Sequence, residues 1–174
     1  MKLERIIKTF TILAVSITFM NCVVPNKEPV KNKVEIEAQK MANSLVSADY
    51  ETFTNYIYPP LLQLMGGKEN TIEVLKKGLP NGIKIVTVEI YDCSETINTK
   101  YEIQCTLKER ITMKVTGGKL ISLSTLIGIS GDKGISWHFI DANNKGLDFY
   151  RNQFSNLSDK LTIPESTKPL FIKE

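Results

Sequence analysis

The spacing of apolar residues changes once along this chain. From Val34 to Lys77 they recur at steps of three and four, and after Gly82 they recur at every second position. The first pattern predicts helices and the second predicts strands. Ile36 or Ala38, with Met41, Ala42 and Leu45, forms the stripe of a first helix beginning at Val34. Ser47-Ala48-Asp49 interrupts it, and Asp49 is suited to cap a second short helix carrying Tyr50, Phe53 and Ile57. Pro59-Pro60 ends that helix, Leu61 to Met65 continue an apolar turn, and Gly66-Gly67 stop it. Glu69 to Lys77 reads as a third helix with Ile72 and Leu75 inward, closed by Gly78 and Pro80.

Four strands are expected, at Ile83–Cys93, Lys100–Val115, Lys119–Ile129 and Ser136–Ile140. The second is the clearest. Its odd positions from Tyr101 to Val115 are apolar apart from Glu109, and its even positions are polar. That alternation describes a sheet with one covered face and one wet face. Thr116-Gly117-Gly118, read as a three-residue hairpin loop, pairs Val115 with Lys119 and brings Ile121, Leu123 and Ile127 to the face of Leu107. A hairpin at Ser130–Gly134 adds Trp137 and Phe139 to that face, with Thr125 opposite Phe139. One at Ser94–Thr99 adds Val86, Val88 and Ile90, with Lys84 opposite Glu109. Helices ahead of a meander sheet make an α+β class.

Composition adds limits. The chain has 174 residues with 24% charged and 42% hydrophobic, which suits one folded domain. One histidine and three cysteines leave little for a metal centre. No glycine-rich phosphate loop and no basic stripe occur, so no cofactor and no nucleic-acid partner are expected.

The N-terminus reads as an address. Lys2, Arg5 and Lys8 precede an uncharged run from Phe10 to Met20. A membrane-crossing helix needs about 20 apolar residues, so this run fits the core of a secretory signal. Phe19-Met20-Asn21-Cys22 resembles a relaxed bacterial lipobox, with Phe19 and Asn21 departing from the usual residues. The resemblance implies that residues 1–21 are a signal peptide, that Cys22 carries lipid, and that the protein sits in a bacterial cell envelope, membrane-anchored and facing periplasm or exterior. Residues 22–33, with Pro25, Pro29 and mixed charges, read as a tether, and residues 34–174 as the folded domain. Of 22 basic and 19 acidic residues, the signal takes three and one, leaving 19 and 18. A nearly neutral mature chain exerts no strong pull on nucleic acid or anionic lipid.

The helical segment "ANSLVSADYETFTNYIYPPLLQLMGG", the long strands after it and "GDKGISWHFID" resemble the nuclear transport factor 2-like superfamily, which includes SnoaL-like cyclases and ketosteroid isomerases. The resemblance spans about Val34 to Phe154. It implies a cone in which a curled antiparallel sheet wraps helices around a pocket, and it carries no catalytic signature. "SGDKGISW", Ser130 to Trp137, also fits the Asp-box pattern of sialidase propeller blades. One copy cannot build a propeller, so it is read as a structural turn in which Asp132 accepts backbone N–H groups, Gly134 takes positive φ and Trp137 packs beneath.

Within that reading Glu109 is the candidate chemical group, because a carboxylate on an apolar face must pair, neutralise or meet water. Its row would contain Lys84 and Thr125. With Tyr58 and Trp137, Glu109 and Thr125 form the candidate ligand-binding set. No catalytic residue is assigned, Glu109 being the alternative. A satisfied Lys84–Glu109 pair, or a bulge turning Glu109 outward, is the plain structural reading. Tyr50, Phe53, Tyr56, Tyr58 and Trp137 could line a cavity or simply fill the core. His138 should face away from the core. Cys93 should face outward and Cys105 inward, about 17 Å apart along the strands, so both are expected as free thiols. Phe149, Phe154, Leu157, Leu161 and Ile163 are expected to pack back on the domain as a short helix and tail. The function expected is a non-enzymatic module binding a small apolar ligand or a protein. A small cyclase- or isomerase-like enzyme using Glu109 is the alternative. A homodimer through the outer sheet face is a third arrangement, though its charged even positions disfavour a dry interface.

Overall fold

A computed structural model describes residues 27–79, 83–142, 145–164 and 167–174. The expected signal, Cys22 and the Asn81-Gly82 turn lie outside them. Four helices come first: α1 Lys27–Val46, α2 Tyr50–Asn55, α3 Pro59–Leu64 and α4 Gly67–Lys77. The strands follow as β1 Lys84–Tyr91, β2 Ile97–Asn98, β3 Ile103–Val115, β4 Gly118–Ser130 and β5 His138–Asp141. Then come α5 Gly146–Gln153 and β6 Leu170–Lys173. The class is α+β. The six-stranded antiparallel sheet runs β1-β3-β4-β5, with β2 beside β3 and β6 beside β4, and it does not close.

The helix boundaries follow local chemistry. Asp49 accepts from the Thr52 N–H at 3.1 Å and caps α2. Pro59 and Pro60 begin α3 rather than merely ending α2, because proline lacks only an N–H that the first turn leaves unpaired. Gly78 takes φ 78° and ends α4. α1 starts at Lys27, so Lys27 to Lys33, expected as tether, are helical. Its inward stripe is Val34, Ala38 and Met41, while Ile36 is exposed.

Strand order agrees with the sequence pattern, but register does not. The β3–β4 turn holds two residues, Thr116 and Gly117 with φ 80°, so Val115 pairs with Gly118 instead of Lys119. A shift of one residue reverses every side chain of a strand. Leu126, opposite Leu107, therefore faces the helices. Leu123 lies opposite Arg110 on the other face and is 40% exposed. The expectation that Leu107, Leu123 and Trp137 share one face fails at Leu123. Phe139 pairs with Gly128, another change of parity, and the two changes cancel. Trp137 and Phe139 thus still pack with Leu107.

In the first hairpin the turn is Thr99–Glu102, closed by Thr99 N–H to Glu102 O at 2.8 Å, not Ser94–Thr99. A bulge at Val86 and a positive φ of 53° at Asp92 accommodate the longer run, and Lys84 ends opposite Lys114. Val88 and Ile90 point inward as expected, whereas Val86 at the bulge is exposed.

Both sheet faces are covered. Val34, Ala38 and Met41 pack on Cys93, Cys105, Leu107, Leu126, Trp137 and Phe139. On the reverse face Ile127, Ile129 and Ile140 pack with Tyr58, Tyr150, Phe154, Leu157 and Leu161. The second layer corrects the single wet face. Gln104 is buried under the C-terminal segment, accepting from Ser158 N–H at 2.9 Å and donating to Asn156 O at 2.9 Å, and Thr106 is buried beside Ser94. Lys108 and Arg110 remain exposed, bound to Asp92 and Glu89. β6 follows directly on Pro169 and pairs with the start of β4. Gly118 suits that contact, since a Cβ there would overlap the Ile172 carbonyl oxygen.

Candidate functional site

Glu109 sits mid-way along β3 between its two most regular neighbours. Ile90 of β1 lies on one side and Ser124 of β4 on the other. It points to the helix-facing side, as its parity predicts, and is 4% exposed. The Ser124 hydroxyl donates to its Oε2 at 2.7 Å. Burial, and after it the negative charge of Asp141, push the Glu109 carboxyl up to about 7, with the Ser124 bond pulling the other way. Near neutral pH the group therefore divides between acid and carboxylate. The basic residues flanking it in sequence, Lys108 and Arg110, are tied to Asp92 and Glu89 on the other face. Lys84 stands opposite Lys114, so the Lys84–Glu109 pair is not formed, and no bulge turns Glu109 outward.

The other expected site residues are divided by the sheet. Trp137 lies on the Glu109 side, buried, its Nε1 donating to Gly134 O at 3.2 Å. Thr125 pairs with Lys108 rather than Glu109, so its side chain lies on the opposite face. Tyr58 belongs to that second core too, accepting at its hydroxyl from Asn156 at 2.9 Å and meeting Phe154 edge-on at 5.3 Å between centroids. Glu109 and Thr125 do not form a row. Ser124 and Asp141, which the sequence reading missed, are the groups that set the carboxyl's environment. A two-residue loop at Thr116-Gly117 would have placed Ser124 correctly.

Gln39 of α1 was also missed. Its amide donates to Val88 O at 3.0 Å and accepts from Ile90 N–H at 3.2 Å, completing the β1 edge immediately beside Glu109's neighbour. A helical glutamine on the stripe facing a strand edge is too common a feature to have marked it.

The Ser130–Trp137 turn is built as expected. Asp132 accepts from Ile135 N–H at 3.1 Å, Ser136 N–H at 2.9 Å and Ser136 Oγ at 2.6 Å. Gly134 has φ 89°. The Ser136 hydroxyl and amide, with Ser130, hold the Asp132 carboxyl down to about 2. These bonds occupy both oxygens in the fold itself. His138, in β5 opposite Ile129, is half-buried, and burial lowers its affinity for a proton.

An apolar groove of about 490 Å³ opens elsewhere, between the end of α1, α4 and the start of β1. Leu45, Tyr50, Val74, Leu75, Leu79 and Ile85 line it, so Tyr50 is the one expected cavity aromatic found there. Tyr56 instead donates to Glu37 at 3.1 Å. Among the described residues no three His, Cys, Asp or Glu groups could hold a metal ion together, and no helix is long and apolar enough to cross a membrane. No family model, no curated protein and no solved structure matches this chain.

Proposed function

We propose that this chain is a lipid-anchored protein of the bacterial cell envelope, held by lipid on Cys22, whose folded part binds a small apolar ligand or a protein. Its polar anchor is Glu109, on the helix-facing side of the sheet. The observation that carries the binding reading is a carboxyl that is 4% exposed, hydrogen-bonded to a neutral serine and raised to about 7. Such a group can donate as an acid or accept as a carboxylate, which suits a polar contact inside an apolar site. The localisation reading is supported by the basic, apolar and cysteine sequence of the first 22 residues. Helices preceding a long-stranded antiparallel sheet support the nuclear transport factor 2-like reading of the fold.

Native mass spectrometry of the full chain extracted from membranes tests this. Retained mass in the wild type that is lost in Glu109→Leu is expected. Equal retention by both proteins, or none by either after exposure to cell extract, contradicts the anchor. The enzymatic reading, a cyclase or isomerase using Glu109, is favoured by one observation, its proton affinity near neutrality, which is where a general acid–base must work.

A further inference from the structure

Cys93 and Cys105 were expected on opposite faces and far apart. The structure brings them together. The positive φ of Asp92 and the displaced first turn rotate Cys93 into the helix-facing core, where it joins Cys105, Leu107 and Trp137. The next residues along lock the two segments: Ser94 N–H donates to Thr106 O at 2.8 Å, and Thr106 N–H donates to Ser94 Oγ at 2.9 Å. Both thiols belong to one buried cluster, in which the Cys93 thiol donates to Ser94 O at 3.4 Å. The neighbouring Cys105 thiol lowers the proton affinity of Cys93, while Cys93 and burial raise that of Cys105. Both are present as thiols and both are buried.

We propose that Cys93 and Cys105 are a redox pair that closes to an intramolecular disulfide, fastening the end of β1 to β3, when the chain meets a disulfide-class oxidant. Either thiol, as thiolate, attacks the oxidant's S–S bond and forms a mixed disulfide, expelling one oxidant thiolate that takes up a proton. The second cysteine thiolate then displaces the other half. Two cysteine thiols are oxidised, one oxidant disulfide is reduced to two thiols, and the two cysteine protons end on those thiols. Burial of both sulfurs means that closure occurs during folding or through local opening, not by attack on the closed core. The proposal draws on the envelope reading only for the source of oxidant.

The sequence supplies a direct readout. Lys84, Lys100 and Lys108 place the two cysteines on separate tryptic peptides, Ile85–Lys100 and Tyr101–Lys108. The full chain, reduced, is exposed to oxidised glutathione with and without moderate urea, alkylated and digested without reductant. The expected result is these two peptides joined, with joining accelerated by urea, and an oxidised protein that melts roughly 5–10 °C above the reduced one. Peptides recovered only singly alkylated or glutathionylated, or joining that lowers the melting temperature, would overturn the proposal. Failure of the envelope reading is distinguishable. Thiols trapped reduced in intact cells, in a chain that still closes the bond after purification, count against the compartment and support the pair itself.

Discussion

Gln39 uses one side-chain amide in place of a neighbouring strand. By giving to Val88 O and receiving from Ile90 N–H it satisfies backbone groups that an edge strand otherwise leaves to water or to another chain. Each such bond contributes about 0.5–1.5 kcal/mol net. Gln39→Ala is expected to cost about 1–3 kcal/mol in denaturant unfolding. It should also speed hydrogen exchange at Ile90 while leaving the Ser130–Trp137 turn protected. Unchanged exchange at Ile90 would mean that the clamp does not operate in solution. Asp132 shows the complementary case, in which a residue's whole role was readable beforehand. Its carboxylate, Ser130, Gly134 and Trp137 all act within eight consecutive positions, so local spacing alone determines the geometry.

Elements were legible wherever their cause was local, and illegible where it was not. Asp49, Gly66 and Gly78 mark helix ends through their own conformations. Register is different. One residue in the Thr116-Gly117 turn decides which face of β4 is inward, and the alternation of β3 is compatible with either loop length. The overlooked signal was Leu126-Ile127-Gly128-Ile129, a run without polar alternation, as expected of a strand buried on both faces. Its second cover is the C-terminal segment, whose apolar residues were expected to pack back but whose docking place no local rule specified. Phe154 is central to that cover, 5% exposed and edge-on to Tyr58. Phe154→Ala should cost about 3–5 kcal/mol in equilibrium unfolding. A cost below about 1 kcal/mol, as for a surface substitution, would show that the segment is loosely held.

At the scale of the whole molecule, the proposed lipid site at Cys22 precedes the folded domain in sequence. Cys22→Ser is expected to move the protein from the membrane to the soluble fraction of lysed cells. Unchanged membrane recovery would contradict lipid attachment. The candidate site divides along the same lines as the fold. Parity along β3 alone put Glu109 on the inner side. Ser124 and Asp141 depended on registers with β4 and β5 that parity does not supply, and Thr125 was misplaced for the same reason. The central claim is that Glu109 is a buried carboxyl with no compensating ion pair among the described residues, and it has a global consequence. Its folded pKa, about 7, lies above the ordinary 4.5 of an unfolded glutamate. The folded state then holds a proton that the unfolded chain releases, so this contribution is complete below about pH 4.5 and is lost as pH rises through 7. The measurement is unfolding free energy between pH 5 and 8 for the wild type and Glu109→Gln. Wild-type stability should fall across that interval by up to about 3 kcal/mol relative to the variant, whose neutral amide has no proton to lose. Parallel profiles for the two proteins would contradict the account.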